Sequence, residues 1–590
     1  MIAYKYQQLM GKAMIHIKNH KQGELFDPWS HLSPKRRTLL EESWAGLFRE
    51  QLLCELPVAE IAPSFTKDFG RPTKELHAAL GVMVLQQSFD LTDEETLEQF
   101  AFNTQWHYAL NITEESDSAK YMSPKTLWNI RNTVIKNQLD TILFDRTTNK
   151  LANVFNVNTD KQRIDSVHIQ SNMRRLGRIG IFSKTIHKFL VNLKRNYKEH
   201  FEKIDNATKE KYLSEKALGC FSMVKPSESA KTLLSLSADL FDLVQQFKDC
   251  QEVVNMHSYK LLTRVLKEQC NVNVTDDSTR VEVKKPKDVP SDSLQNPSDQ
   301  DATFSGHKGQ GYKVQVMETY TETEDKESKA ATLNLITHVG VEKACQSDAK
   351  SLIPAIESTK KRELCPKKIT ADCLYGSDDN YEDAKEMEVD VISPVKKSSE
   401  KGIIQLKDFK FYQDGHVQKC PTGNEPVLKK KKKTRFTQGF SIETCSQCTL
   451  KDQCIAKPGK QYYYLRYEAK AMRVAKRKAI ENTDAFKDEY RWRAGVEATM
   501  SEYDRRTGVK HLRFRGFDAV RFCAVLKAIG INLFRATAVR RGVKPRKGAN
   551  QTTMLGLNQI YSVFKELLGL LYATFKINFS IRSMVMSVDS

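Results

Sequence analysis

The order of strand-like and helix-like stretches is what most limits the folds open to this chain. β-rich segments fall at 163–170 (RIDSVHIQ), 311–320 (GYKVQVMETY), 331–341 (ATLNLITHVGV), 368–376 (KITADCLYG) and 389–395 (VDVISPV). Helical stretches separate the last three, DAKSLIPAIES (348–358) and DDNYEDAKEME. An order β…ββαβαβ fits a mixed sheet of the α/β class. Two stretches interrupt it. Residues 171–275 read as a helical insertion, with amphipathic runs such as TLLSLSADLFDLVQQF, and 276–303 is polar and poor in large apolar residues, which predicts an exposed linker. A basic, cysteine-bearing insertion at 396–483 then separates the sheet segments (160–395) from a helical end at 484–540.

The front of the chain, 1–150, also reads as helical, and 541–590 is a tail. PTKELHAALGVMVLQQ (72–87) carries a proline suited to a first helical turn. Thr92 and Glu95 form a capping-box pattern, and Ser123–Pro124 is a cap followed by a proline at the first helical position.

Charge narrows the class of partner. The 590 residues hold 93 Lys+Arg against 73 Asp+Glu, a net +20, which points to a polyanion and to nucleic acid ahead of a membrane surface. With 40% apolar residues the chain can bury a sizeable core, which excludes a disordered chain. No uninterrupted apolar run of about 18 residues is evident, so no membrane span is expected. Lys429 to Lys433, Arg473 to Lys478, and Lys510 to Arg515 are basic clusters that together suggest a DNA track.

Twelve cysteines are too few for a disulfide scaffold. Four of them gather, Cys420, Cys445, Cys448 and Cys454, and short-spaced thiols returning to meet others suit a structural Zn²⁺.

Three carboxylates stand out. Asp165 lies inside a strand, where a charge is costly unless something needs it. Asp372 ends another strand, before a glycine-containing turn. Glu497 sits mid-helix in EYRWRAGVEATMSEYDRR, where Tyr490, Arg493, Glu497, Ser501 and Arg505 share one face. If the two strands are neighbours, three hard oxygen donors meet, which suits Mg²⁺ or Mn²⁺.

In four places the sequence resembles the bacterial insertion-sequence DDE transposases, in the branch with a helical N-terminal domain and a cysteine cluster before the catalytic glutamate. IDSVHIQSN carries Asp165, SGHKGQGYKVQVMET is similar to the His-Lys-Gly hairpin, ITADCLYGSDDN carries Asp372, and YRWRAGVEATMSEYDRR carries Tyr490, Arg493 and Glu497. The resemblance implies an RNase H-like core in which Asp165, Asp372 and Glu497 are catalytic and bind two divalent ions. It also implies DNA contacts from Tyr490, Arg493, Arg505, His307, Lys308, Lys510, Arg513 and Arg515. The implied partners are transposon terminal inverted repeats and target DNA, with a homodimer in the active complex, in the bacterial cytoplasm at the nucleoid. One position departs from the family pattern: Asp504 stands where the signature has a lysine. The departure supports one alternative, a catalytically inactive zinc-containing DNA-binding protein; a second alternative, on the same fold, is an RNase H-like nuclease that cuts without joining.

Overall fold

The computed structural model of the chain describes residues 14–22, 27–67, 71–214, 221, 223–275, 278–396 and 404–542. The tail beyond 542, and Cys220, lie outside them. The chain divides into two compact units. The first holds the residues up to Glu322 and Leu333–Thr537; the second, Thr323–Thr332 with the residues from Ala538, includes the short helix Lys326–Ala331. All sites below belong to the first unit.

Six strands make the central sheet: β1 (Lys161–Gln170), β2 (Thr303–Ser305), β3 (Gly309–Thr319), β4 (Ile336–Lys343), β5 (Lys368–Ala371) and β6 (Asp390–Ile392). Their order is β2-β3-β1-β5-β6, with β4 also paired to β3. β3 runs antiparallel to β1, β2 and β4, whereas β1, β5 and β6 are mutually parallel. β1 therefore sits where an antiparallel half meets a parallel half. Connections between parallel strands need a crossover, and α8 and α9 below supply the covering apolar faces.

Three helical groups surround the sheet. The front group includes α1 (Leu76–Ser88), α2 (Asp93–Phe102), α3 (Pro124–Lys136) and α4 (Leu139–Val154). The Thr92–Glu95 capping box forms, and Ser123 Oγ accepts from Thr126 N–H. The inserted group is α5 (Arg178–Asn196), α6 (Ser229–Phe247) and α7 (His257–Gln269). It has its own core around Phe182, Phe189, Leu240 and Leu262, and leads into a hairpin, Cys270–Thr275 with Ser278–Val283. Against the sheet lie α8 (Leu352–Lys360) and α9 (Asp378–Glu386), whose Ile356 and Ala384 pack with Ile164, Ile369 and Val391.

The cysteine-bearing insertion is a four-stranded antiparallel sheet of β7 (Leu428–Lys432), β8 (Arg435–Phe440), β9 (Lys457–Pro458) and β10 (Tyr463–Glu468), in the order β7-β8-β10-β9. α10 (Ala469–Ile480) follows. It is bound to the central domain through Asp378, 1% exposed, whose carboxylate takes Arg473 Nη2 at 2.5 Å and Arg477 Nη2 at 2.9 Å. Two of the basic side chains expected on a DNA track are thus engaged by a buried acid that needs them.

The chain's end supplies α11 (Gly495–Thr507) and α12 (Phe517–Arg540). α12 is long and apolar enough to cross a bilayer by length and composition, but 78% of its apolar window is buried in the fold. The front helices pack on it: Arg521 Nε meets the buried Asp140 carboxylate at 2.9 Å, and the Phe89 and Phe534 rings lie 5.3 Å apart. A core role accounts for its hydropathy.

Three expectations are corrected. Pro72 does not open α1, which starts at Leu76 because Glu75 caps it, accepting from His77 N–H and Ala78 N–H. The polar stretch 276–303 is an exposed linker only in part: 282–292 is largely exposed, but Leu294, Asn296, Asp299 and Ala302 are buried. Asp299 accepts from Ser171 Oγ, Tyr312 Oη and Gly516 N–H, so its polarity serves an internal knot. The segment around Glu497 is not one helix: Asp484–Tyr490 gives way to a 3₁₀ turn, Arg491–Ala494, before α11. There Arg163 crowds the backbone, with Nη1 donating to Trp492 O at 2.8 Å.

Candidate active site

Strand register brings the two aspartates together. β1 and β5 pair in parallel with Ile164 opposite Ala371, so the next residue along each strand is Asp165 and Asp372. Their carboxylates leave neighbouring strands at one level. Asp165 Oδ1 accepts from Ser166 N–H at 2.8 Å and Oδ2 from Arg493 Nη2 at 2.6 Å. Asp372 Oδ1 accepts from Cys373 N–H at 2.6 Å. Burial pushes the Asp165 carboxyl above its ordinary value, and the charges of Asp372 and Asp348 push the same way against the pull of Ser166 N–H and Arg493. Crowded acids in a partly dry site favour a bound cation.

Glu497 lies in the first turn of α11, with 73% of its side chain exposed. Arg493 spans the gap, its Nη1 lying 3.6 Å from Glu497 Oε1 while Nη2 holds Asp165.

A buried knot fixes α11 on the sheet. Glu318 of β3 is fully buried and stands opposite Arg163 of β1. Its carboxylate takes Arg163 Nη2 at 2.7 Å, Arg535 Nη1 of α12 at 2.8 Å and Thr499 Oγ1 of α11 at 2.7 Å. One acid thereby joins two strands to two helices. Burial opposes its charge, but the two guanidiniums prevail and hold Glu318 below the usual carboxylate range. A Cβ at position 495 would lie 2.0 Å from Arg163 Nη1, so the start of α11 needs Gly495.

Between the sheet rim and α11 runs a groove of about 590 Å³, lined by Asp165, Glu497, Lys308, Ser501, Arg505 and Lys510 among others. Asp504 lines it too and explains its own departure from the family pattern. Its carboxylate accepts from Lys510 N–H at 3.2 Å and pairs with Lys510 Nζ at 3.2 Å, across the turn that Gly508 makes at φ +62°. The acid holds a lysine at the groove.

The remaining predicted DNA contacts divide. Lys308 reaches the groove from the turn between β2 and β3, while His307 is exposed on that turn. The hairpin closes tightly on β1, because a Cβ on Gly311 would lie 1.9 Å from Ile169 O. Tyr490 stands beside Asp372; burial, then that acid's charge, raises its phenol pKa. Arg513 is bound to Asp90 Oδ1 at 2.9 Å, and Arg515 Nη1 donates to Met173 Sδ at 3.2 Å. These two are not part of the groove lining. Tyr503 is fully buried with its hydroxyl on Ala524 O, and so is a core residue. The sequence reading missed Asp348 and the Glu318 knot. Arg163 and Glu318 did carry a signal, as charges inside strands beside IDS and MET.

The four cysteines line one small cavity of about 30 Å³ with Phe440 and Tyr463, a volume suited to a single ion. Burial, then the neighbouring Cys420, Cys454 and Cys448, pushes the Cys445 thiol up to about 11. Four thiols on one cavity are donors of the kind that zinc takes, but they are not drawn within 4.8 Å of one another as a ligand group.

Two family models match the chain. One, described as a transposase DDE domain, covers residues 419–537, including Glu497 and the cysteine cluster; the other, a transposase domain (DUF772), covers 49–133. A transposase domain followed by a transposase DDE domain is the order consistent with an insertion-sequence DDE transposase. No curated protein matches it, and no solved structure does. A DDE domain is that of a nucleic-acid-cleaving transposase acting on DNA, in a family that normally uses divalent metal. The matched DDE region begins after Asp165 and Asp372, which rest on the sheet geometry alone.

Proposed function

We propose that this transposase cuts DNA at the terminal inverted repeats of its own insertion sequence and joins the freed 3′-hydroxyl to target DNA. The observation that carries the reading is the register of β1 and β5, which sets Asp165 beside Asp372, with Arg493 linking Asp165 to Glu497. The antiparallel and parallel halves meeting at β1 support an RNase H-like core. Asp165, Asp372 and Glu497 would hold two Mg²⁺ or Mn²⁺ ions, whose chemistry is to neutralise charge on the attacking and leaving oxygens. Around them the chain's own residues do the rest. Lys308, Arg505 and Lys510 bind phosphates along the groove, Arg being able to grip one bidentately. Arg493 balances the acids and orients Glu497. Two ends must be held together for joining, so the active complex is a homodimer working in the bacterial cytoplasm on nucleoid DNA.

The deciding experiment incubates purified protein with labelled terminal-repeat DNA, a target plasmid and Mg²⁺. Joined products are expected. Cutting without joining would instead identify a nuclease, and binding without cutting an inactive derivative. The groove lysine supplied through Asp504 argues against the latter.

The cysteine insertion, in the same proposal, carries one structural Zn²⁺ on Cys420, Cys445, Cys448 and Cys454. Metal analysis of reduced full-length protein should find that zinc, and Cys445→Ser should lose it. Unchanged zinc in the variant would reject the cluster.

A further inference from the structure

The front of the chain holds a group of ligands that the reaction does not use. His20, Glu75 and His77 each offer a ligand atom, and these atoms all lie within 4.8 Å of one another. His77 Nδ1 is 3.0 Å from Glu75 Oε1, and His20 Nε2 is 3.6 Å from Glu75 Oε2. Donors held at 2.0–2.2 Å around a tetrahedral ion stand about 3.3–3.5 Å apart. Both spacings are of that order, each histidine facing a different oxygen of Glu75.

A second observation points to a ligand. The His20 side chain is only 3% exposed, yet its Nε2 is buried without a hydrogen-bond partner and faces Glu75 Oε2. An orphaned buried nitrogen is costly and calls for an explanation. The other ring nitrogen, Nδ1, lies 3.1 Å from the Asn111 amide. A metal-bound Nε2 needs a hydrogen on Nδ1, and Asn111 Oδ1, itself buried and unpartnered, could accept it if the amide is turned over. The two imidazole rings stand edge to face, 4.7 Å between centroids and 83° between planes. Such an arrangement lets both rings address one point.

Glu75 retains capacity for the ion while capping α1. Its Oε1 receives Lys18 N–H at 3.2 Å and His77 N–H at 3.1 Å, whereas the backbone bond to Oε2 comes from Ala78 at 2.7 Å. The second lone pair of Oε2 is on the His20 side. Backbone and hydroxyl bonds also attach the segment bearing His20 to the helix approach, Thr73 N–H to Met14 O at 2.9 Å, Leu76 N–H to His16 O at 3.0 Å and His16 N–H to Thr73 Oγ1 at 2.9 Å.

We infer that His20, Glu75 and His77 form a second metal site, holding Zn²⁺ with water in the fourth position and clamping residues 14–22 to the start of α1. Two imidazoles and one carboxylate are borderline donors that suit Zn²⁺ over Mg²⁺. Glu75 and His77 fall within the region that the transposase domain (DUF772) model matches, 49–133, and His20 precedes it.

The test uses full-length protein, stripped by a chelator and reloaded with Zn²⁺ or Co²⁺ alone. His20→Phe keeps ring volume but cannot ligate, and Glu75→Gln keeps the cap with a poor ligand. Each should carry one metal equivalent fewer than wild type. In the Co²⁺ form, His20→Phe should lose the nitrogen–oxygen visible bands while any thiolate charge-transfer bands remain. Equal metal content in wild type and both variants would overturn the site. Metal lost only on Cys445→Ser would do the same, and would leave the cysteine proposal standing. Absence of the thiolate bands with the His20-dependent equivalent intact would strike the cysteine cluster alone.

Discussion

Asp372→Asn protein should bind terminal-repeat DNA as wild type does and cleave it at least about 10³-fold more slowly. The estimate follows from taking about 4 kcal/mol of charge stabilisation from the transition state, at about 1.4 kcal/mol per tenfold in rate. Asn matches Asp in shape and can still accept from Cys373 N–H, as Asp372 Oδ1 does at 2.6 Å, so the turn after β5 should survive. What is lost is one negative charge beside Asp165. That loss has a second readout: Asp372 helps to push the Asp165 carboxyl upward, so the variant should shift it back toward its ordinary value. A binding gel and a strand-cleavage assay on the same preparation separate the two effects. Cleavage within tenfold of wild type would remove Asp372 from the site, and equal loss of binding and cleavage would make its role structural.

The parts of this site that the sequence revealed are those set by local pattern. Asp165 is a charge inside RIDSVHIQ, and Asp372 closes KITAD before a turn, so each was visible as an exception to its surroundings. Whether they meet depends on β1 and β5 being neighbours, which no local pattern encodes. Glu497 was placed on a helix, but the break at Arg491–Ala494 was not foreseen. Its cause, the Arg163 guanidinium against Gly495, joins residues far apart in the chain. The error over 276–303 is of another kind. Polar composition was equated with exposure, yet Asn296 donates to Arg174 O at 3.0 Å and Asp299 gathers three donors inside the fold. A polar loop whose groups are satisfied internally has the same composition as a solvated one. Asp504 likewise reads locally as a lost lysine, because its partner Lys510 comes from the following turn.

Glu318→Ala should be the most damaging single change to stability, lowering it by about 3–5 kcal/mol, the range for removing one partner of a buried ion pair. The reason is what remains. Arg163 would keep its charge with only 10% of its side chain exposed and no acid against it, and Arg535, 15% exposed, would keep only Glu502 at 2.8 Å. Thr499 would lose its acceptor, and with it α11 its attachment to β3. Glu318→Gln keeps an acceptor for Thr499 and should recover part of the loss, while leaving the charge imbalance. The pH dependence has a definite sign. The two guanidinium partners hold the Glu318 carboxyl below its ordinary value when folded, so its contribution is fully present above that ordinary value and disappears as pH falls through the lowered one. The stability gap between wild type and Glu318→Gln, followed by urea unfolding, should therefore be widest near neutral pH and narrow in acid. A gap that stays constant down to strongly acid pH would mean that shape, and not the carboxylate's charge, holds Glu497 over the two aspartates.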